Sequence, residues 1–547
     1  MKINLDTFGL PEFETADADV VSKLPSKPQF SNMIYLDYAA TTPVAPEVIE
    51  TMVSAMESDW ANVSSPHELG VMTAQKVNQA LATIAGHFNV NADEIIMTSG
   101  STESINHALK GVLRAQKKKE IITTTIEHKA VINTVQALMK EGYRGKFVAP
   151  NAQGEITASM IEAMITDETA LISLIWVNNE TGDKLPVEAI AKIARERKIP
   201  IHIDATQAAP HFQFDASQFD LVSLSAHKCY GPKGLGLLYR RSFPKLPMLP
   251  IIDGSGSQLA LRAGTMPNEG VMGFARALSL IAQNWQEERH RLAKLEGYLM
   301  HRLREFGVEI NSGAPEGERE PGVLNLYIPG VHADTLMALT PKLSLAKGSA
   351  CNSDSSLASY VLTEMGYSVT RALSSIRVSV GRSKSEEEIF AAGEMLASAI
   401  EFIQNMANGV PASWYGEYNL HDRYMGAVLE PDLVLPESAG AVGLRGSKAT
   451  QNLCTIAKDH FSLELQGRIT KQAQDDGNAL SFEILDICVF GAPYYLALAN
   501  DLAIALRDEQ ITENLSLEKL LGLKVPSEYL RDTLFIEKAL REFVKSH

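Results

Sequence analysis

Apolar positions along the chain change period as it advances. Glu94–Thr98 (E-I-I-M-T) reads as a strand, and behind it Ile105, Ala108, Leu109, Val112 and Leu113 recur at helical spacing. Ile121–Thr125 is β-branched and reads as the next strand. Leu171–Val177 is another apolar run, with a helix over Ala189–Arg197 behind it. Pro200–Gln207 holds a strand and its exit, and Leu221–Leu224 suits a buried strand. This alternation predicts an α/β domain.

Outside that block the pattern loosens. Residues 1 to about 30 are polar, carry Pro11, Pro25 and Pro28, and read as an extended arm. Ile34–Leu36 begins as a short strand and runs through small residues to Pro43. A long helix is expected from Val271 to Phe306, with strands at Val308–Ile310, Val323–Ile328 and Ser375–Gly381. Ser385 opens a helix whose first turn, Glu386–Glu388, is acidic, and which runs to about Met406. Asn408-Gly409-Val410-Pro411 marks a boundary. The remainder reads as a helical start, a β region near Phe461–Thr470 and Leu480–Val489, then helices over 493–507, 516–522 and 528–545.

Composition narrows the function classes. At 547 residues the chain holds two or three domains, and 45% hydrophobic with 21% charged content is ordinary for a soluble globular protein. A formal charge of −16 argues against nucleic acid as a direct partner. The four cysteines, Cys229, Cys351, Cys454 and Cys488, are scattered without a C-x-x-C pair. Neither a disulfide framework nor a metal site is expected, and a reducing compartment follows. The N-terminal segment is acidic and lacks the apolar core of a signal peptide. The longest membrane candidate, Tyr494–Leu506, is cut by Asn500-Asp501, so the expectation is a cytoplasmic protein without a membrane partner.

The candidate chemistry gathers after predicted strands. Leu221–Gly236 ends in Ser225-Ala226-His227-Lys228 and a glycine-rich turn. A lysine at the mouth of a buried strand loses hydration and becomes a usable amine nucleophile. Ser99-Gly100-Ser101-Thr102, between a strand and a helix, is a candidate anion site built from free amides, a helix dipole and hydroxyls. Asp204 and Lys228 stand at the ends of successive strands, where ligands of open α/β sheets collect. Cys351 lies in a small, polar stretch, Lys347–Ser356, where a thiol is reachable by solvent and partners.

The segment S-x-H-K-x-Y-G-P-K-G-x-G at Ser225–Gly236 resembles the cofactor-lysine segment of pyridoxal-phosphate (PLP) enzymes of fold type I, aminotransferase class V. Within that class it is most similar to the cysteine desulfurases of the NifS/IscS type, a resemblance covering about residues 33–405. It implies a large PLP-binding domain with a mostly parallel sheet over 33–290 and a small α+β domain over 291–407, after an N-terminal arm, 1–32. Lys228 would carry the cofactor, with Cys351 as the sulfur-accepting thiol in a match to G-S-A-C-x-S. His128 would stack on the ring and serve as acid or base. Ser101, Thr102, Ser225 and His227 would hold the cofactor, Asp204 the ring nitrogen and Gln207 the 3′-oxygen. Asn179 would lie near that oxygen and the substrate carboxylate, and Arg377 would bind the carboxylate. Thr265, in R-A-G-T-M-P, would reach the phosphate of a second subunit, implying a homodimer. The expected reaction takes L-cysteine to L-alanine and passes sulfur to an acceptor protein of the scaffold or thiouridylase type. A class V aminotransferase or a selenocysteine lyase would use the same frame. A sulfur-relay or regulatory binding protein would act through the C-terminal domain.

Asn62–Gly70 matches the family's pattern only loosely, which leaves substrate contacts there open. Residues 412–547 form a C-terminal α+β domain that faintly resembles the U-type iron–sulfur scaffolds, in degenerate form. Lys458, Phe490 and Asp532 stand at the places of the three cluster cysteines, so no cluster is expected.

Overall fold

The computed structural model describes residues 33–254, 258–314, 318–348 and 358–407, with three further strands between residues 451 and 491. The N-terminal arm, the Cys351 segment, the 408–411 boundary and the helices expected after residue 492 lie outside the described residues.

The order from the first described strand is β1 (Ile34–Tyr35), α1 (Pro46–Ser58), α2 (Glu68–His87), β2 (Ile95–Thr98) and α3 (Ser101–Arg114). It continues with β3 (Glu120–Thr124), α4 (Lys129–Lys140), β4 (Arg144–Val148), α5 (Ala158–Ala163) and β5 (Thr169–Ile175). Next come α6 (Val187–Glu196), β6 (Ile201–Asp204), β7 (Leu221–Ser225) and β8 (Gly236–Arg240). Seven of these strands form one sheet in the order β2-β8-β7-β6-β5-β3-β4. The neighbours among β3 to β7 pair in parallel, while β8 is antiparallel to both β2 and β7. β8 (G-L-L-Y-R) was legible only as the end of the glycine turn. Its antiparallel course follows from the short connection after β7, too short for a crossover helix.

The sheet is sandwiched by helices, so β2, β3, β5, β6, β7 and β8 are buried along their whole length. One polar cluster inside it is fully paired. His202 on β6 bonds Ser173 Oγ of β5 and Ser223 Oγ of β7, each at 2.8 Å, and burial lowers its pKa to about 3. A neutral imidazole bridging two hydroxyls satisfies all three groups in a dry core.

The predicted long helix is α7 (Asn268–Leu303), broken by non-helical backbone at Asn284. Its first half packs Val271, Phe274 and Leu278 into the core of the large sheet. Its second half packs Leu292, Leu295, Leu299 and Leu303 into a second core. That core is completed by β9 (Glu309–Ile310), β10 (Val323–Tyr327), α8 (Ala333–Leu339), β11 (Leu343–Ser344), β12 (Ser375–Ser379) and α11 (Glu386–Ala407), with the short helices α9 (Tyr360–Glu364) and α10 (Val369–Leu373) between β11 and β12. β9, β10 and β12 form an antiparallel sheet. β1 pairs with β11 in parallel, so the start of the described chain is tied to this second unit.

In the C-terminal region β13 (Gln451–Lys458), β14 (Phe461–Gln472) and β15 (Ala479–Gly491) form an antiparallel sheet in that order. The two β segments expected there are present and longer than read. The stretch from 412 to 450, where the helical start was expected, lies outside the described residues; Gln451–Lys458, not read as a strand, pairs along the edge of β14. Cys454 lies opposite Leu465 and Cys488 opposite Glu464, on the two outer strands.

Candidate active site

Five strand exits of the large sheet converge. After β2, Gly100 takes a φ of +152°, a region that favours glycine, and caps α3. The Ser101 amide then donates to Ser225 Oγ at 2.7 Å, and Ser225 Oγ donates to Ser101 Oγ at 3.1 Å. Ser225 ends β7, so the turn at the start of α3 is pinned to the strand that delivers Lys228. Gly236 makes this approach feasible: a Cβ there would lie 2.6 Å from both Gly100 Cα and Leu224 O. Thr102 is exposed in the first turn of α3.

β7 runs into a 3₁₀ turn, Ala226–Lys228. Lys228 is half-buried, and its Nζ donates to Ala39 O and to Ala40 O, the latter at 2.7 Å. His227 Nδ1 sits 3.1 Å from Thr41 Oγ1, and its carbonyl accepts from the Thr42 amide. Burial, reinforced by Lys228 and Lys233, lowers the His227 pKa to about 4. The opening segment, Asp37–Thr42, is thereby folded against the lysine turn.

Asp204 ends β6 and is buried. Thr206 donates its amide (3.0 Å) and its hydroxyl to Oδ1, so Oδ2 is the oxygen available to another donor. Gln207 donates from Nε2 to Ala39 O at 2.8 Å, the carbonyl that Lys228 also uses. His128 caps α4, its Nδ1 accepting from Ala130 N at 3.1 Å. Burial lowers its pKa, which the charge of Asp204 opposes and Lys228 reinforces. Lys228, Asp204 and His128 therefore share one electrostatic environment.

After β5, Asn178 donates to Ile126 O and accepts from Glu180 N, which holds the turn that carries Asn179. Asn179 Oδ1 is buried without a partner. The Asn179 carbonyl accepts from Arg377 of β12 at 2.9 Å. Arg377 is 1% exposed, and its second amino group donates to Asp37 Oδ1 at 2.7 Å. Its Nε is buried and unpartnered. An acceptor and a donor left unsatisfied on two residues that a hydrogen bond joins suit a site for a small polar ligand.

The structure thus brings together Ser101, His128, Asn179, Asp204, Gln207, Ser225, His227, Lys228 and Arg377. Thr102 borders the group. Thr265 does not join it. It lies exposed, on the segment whose Arg262 reaches Glu103 in the first turn of α3 at 3.0 Å. Cys351 lies outside the described residues. Cys229, one residue past the lysine, is fully buried, and burial pushes its thiol up to about 12, which leaves it inert.

Sequence reasoning missed Asp37 and Thr206. Asp37 is visible only as one acid in Y-L-D-Y, because its partner Arg377 is 340 residues away. Among the described residues no group of acidic, histidine or cysteine side chains is arranged to hold a metal ion.

Comparison with known proteins identifies the family. The family model Aminotransferase class-V matches residues 34–391. Cysteine desulfurase IscS of Shewanella piezotolerans is 38% identical over 381 residues, which span 68% of this chain and 94% of that protein. A solved NifS-like protein superposes with a TM-score of 0.63 at 30% identity, over 68% of this chain and 99% of its own. SspA in complex with cysteine superposes at 0.56 with 34% identity, over 63% of this chain and 98% of its own. A class V match across the two packed cores, together with near-complete coverage of a relative at 38% identity, means that this chain belongs to the cysteine desulfurases of aminotransferase class V.

Proposed function

We propose that the chain converts L-cysteine to L-alanine with the sulfur held as a persulfide on Cys351, at a site built on Lys228. The observation that carries this reading is the meeting of Lys228, Asp204, His128 and Ser101 at the ends of strands of one sheet.

The residues suit pyridoxal 5′-phosphate. The Ser101 turn presents a helix N-terminus, hydroxyls and a glycine with no side chain in the way. Asp204 offers a buried carboxylate oxygen for a ring N–H, and Asn179 Oδ1 lacks a partner. When bound, the cofactor supplies the electron sink that makes bonds at the substrate Cα and Cβ breakable. Lys228 Nζ takes the Cα proton, and Asp204 Oδ2 would accept the N–H of the cofactor ring. The Arg377 guanidinium and Asn179 orient the substrate carboxylate. The Cys351 thiolate forms an S–S bond to the substrate sulfur as the C–S bond breaks, the electron pair passing to carbon. Protonation of that carbon completes L-alanine, and the thiol has become a persulfide. His128 would hold or release a proton beside the cofactor.

The same reading includes a homodimer. Ile49, Val53 and Met56 form an exposed apolar stripe on α1, and Trp60, Val71 and Met72 are exposed as well. Such a patch is what a second copy covers. The surface position of Thr265 supports contact with that copy. A cytoplasmic location is supported by the acidic composition and the scattered cysteines. Among the described residues no helix is long and apolar enough to cross a membrane. The acceptor belongs to the scaffold or thiouridylase type, recruited through the C-terminal region. Cys454 and Cys488 lie on the two outer strands of the C-terminal sheet. Either would receive sulfur as a single thiol.

The test is an absorbance spectrum of the pure protein with pyridoxal 5′-phosphate, before and after L-cysteine, followed by assays of alanine and sulfide. A visible band that changes with cysteine, with alanine and sulfide formed in step, is expected. A protein that stays colourless, or one that exchanges amino groups with keto acids instead, would refute the reading.

A further inference from the structure

The two described flanks of the Cys351 segment meet at one buried acid. Glu180 follows Asn179 in the turn after β5 and is 1% exposed. Its backbone serves that turn. The amide donates to Asn178 Oδ1 at 2.8 Å, and the carbonyl accepts from Asn325 Nδ2 of β10 at 3.3 Å. Its side chain serves the flanks. Oε2 accepts from Ser359 Oγ, and Ser359 Oγ in turn caps α9 by accepting from Leu362 N at 3.2 Å. Gly348 lies against the same carboxyl oxygen: a Cβ there would sit 2.8 Å from Glu180 Oε2 and 3.5 Å from Ser359 Cβ. Gly348 has a φ of +148°, backbone that favours glycine, so no side chain holds the two flanks apart.

The approach to Gly348 is fixed as well. Ala346 exchanges two backbone hydrogen bonds with Arg377, at 2.6 and 3.3 Å, and Lys347 forms an ion pair with Asp334 at 2.6 Å. Arg377 also donates to Asn179 O at 2.9 Å, next to Glu180 in the chain. Cys351 comes three residues after Gly348, a length of chain that spans at most ~11 Å. The tether of the thiol is therefore rooted at Arg377 and Glu180, on residues that touch or adjoin Asn179. A shift at that root moves whatever hangs from it.

We propose that Glu180 is a positioning residue for sulfur transfer: its carboxyl joins Gly348 to Ser359 and so sets where the Cys351 thiol meets the substrate sulfur. The inference rests on the reading that Cys351 takes up that sulfur. Glu180 itself forms no bond to substrate. The bonds that hold the Asn179 turn come from the Glu180 backbone, and they survive when the side chain is cut back.

The test separates cofactor chemistry from sulfur transfer in the loaded protein. Glu180→Ala should bind pyridoxal 5′-phosphate and give the wild-type absorbance change with L-cysteine. Persulfide formation on Cys351, followed by mass spectrometry of quenched single turnovers, should slow by about 10- to 100-fold, as a misplacement of up to ~1 Å does. Glu180→Gln keeps an oxygen for Ser359 and should recover most of the rate. Amide hydrogen exchange, which needs no turnover, should quicken in Glu180→Ala at Gly348 and over 359–364 by about 5- to 10-fold, the weight of one hydrogen bond. It should stay unchanged in β5 and β6. A wild-type persulfide rate in Glu180→Ala, an absorbance response lost in the same proportion, or exchange that rises across the whole fold overturns the proposal. Where Glu180→Ala does not fold, Ser359→Ala removes the same hydrogen bond from the other side and should show the same split; an unchanged persulfide rate there overturns the proposal too. A wild-type protein that forms neither persulfide nor alanine refutes the function itself, whereas persulfide formed equally fast by wild type and variants refutes this inference alone.

Discussion

Replacing Arg377 separates its two jobs. In the folded chain the guanidinium is 1% exposed and is held by Asp37 at 2.7 Å and by Asn179 O at 2.9 Å. Arg377→Gln removes the charge but keeps an amide near both acceptors. Breaking a buried ion pair from one side costs about 3–5 kcal/mol. The Asp37 side chain is 19% exposed and can recover some hydration, which puts the expected loss of stability near the low end, ~3 kcal/mol. The substrate carboxylate loses a charge-assisted contact, about 1.5–3 kcal/mol. At ~1.4 kcal/mol per tenfold, kcat/KM for L-cysteine should fall by roughly 10- to 150-fold. The loss should fall mainly on KM, because the carboxylate keeps its charge throughout the reaction. Arg377→Lys keeps the charge without the planar fork and should lie between the two. The assays are alanine formation against L-cysteine concentration and urea unfolding of the same preparations. Asp37→Asn with Arg377→Gln closes a double-mutant cycle, and the two should couple because they touch. A variant with an unchanged KM for cysteine, at concentrations where it is folded, would show that Arg377 is a structural arginine and that the carboxylate binds elsewhere.

Lys228→Ala should remove the visible absorbance of the loaded protein and abolish alanine release; normal release by that variant would end the lysine's assigned role. Cys351→Ser should keep the cofactor spectrum and its response to cysteine yet form no persulfide, checked by mass spectrometry of the protein after substrate. Gly236→Ala should lower thermal stability by about 1–3 kcal/mol, the usual cost of overpacking. The added Cβ meets backbone on both sides, Gly100 and Leu224, and neither can rotate away. It should also weaken cofactor binding, because the Ser101 turn is displaced; a variant with unchanged melting and affinity would show that this approach is looser than described.

The strands and helices of the large sheet were legible because their apolar positions keep one period over several residues. Leu221–Leu224, Ile121–Thr125 and the face Ile105, Ala108, Leu109, Val112 and Leu113 all fall inside observed elements, apart from one residue at a strand end. The candidate site was legible where a local motif carried it, as in Ser225–Gly236. β8 was missed because its leading glycine belongs equally to a turn. Strand β13 was missed because Gln451–Lys458 gains its hydrogen bonds only from β14.

Sequence alone determined which residue types stand at the ends of strands, since short-range periodicity and turn chemistry are properties of neighbouring positions. Only the tertiary structure decided who meets whom. The pairing of Arg377 with Asp37 and the shared use of Ala39 O by Lys228 and Gln207 both join distant segments. Contacts of that kind are set by the order of strands in the sheet and by burial, and a carboxylate's protonation follows from the water it has lost, which no stretch of sequence states.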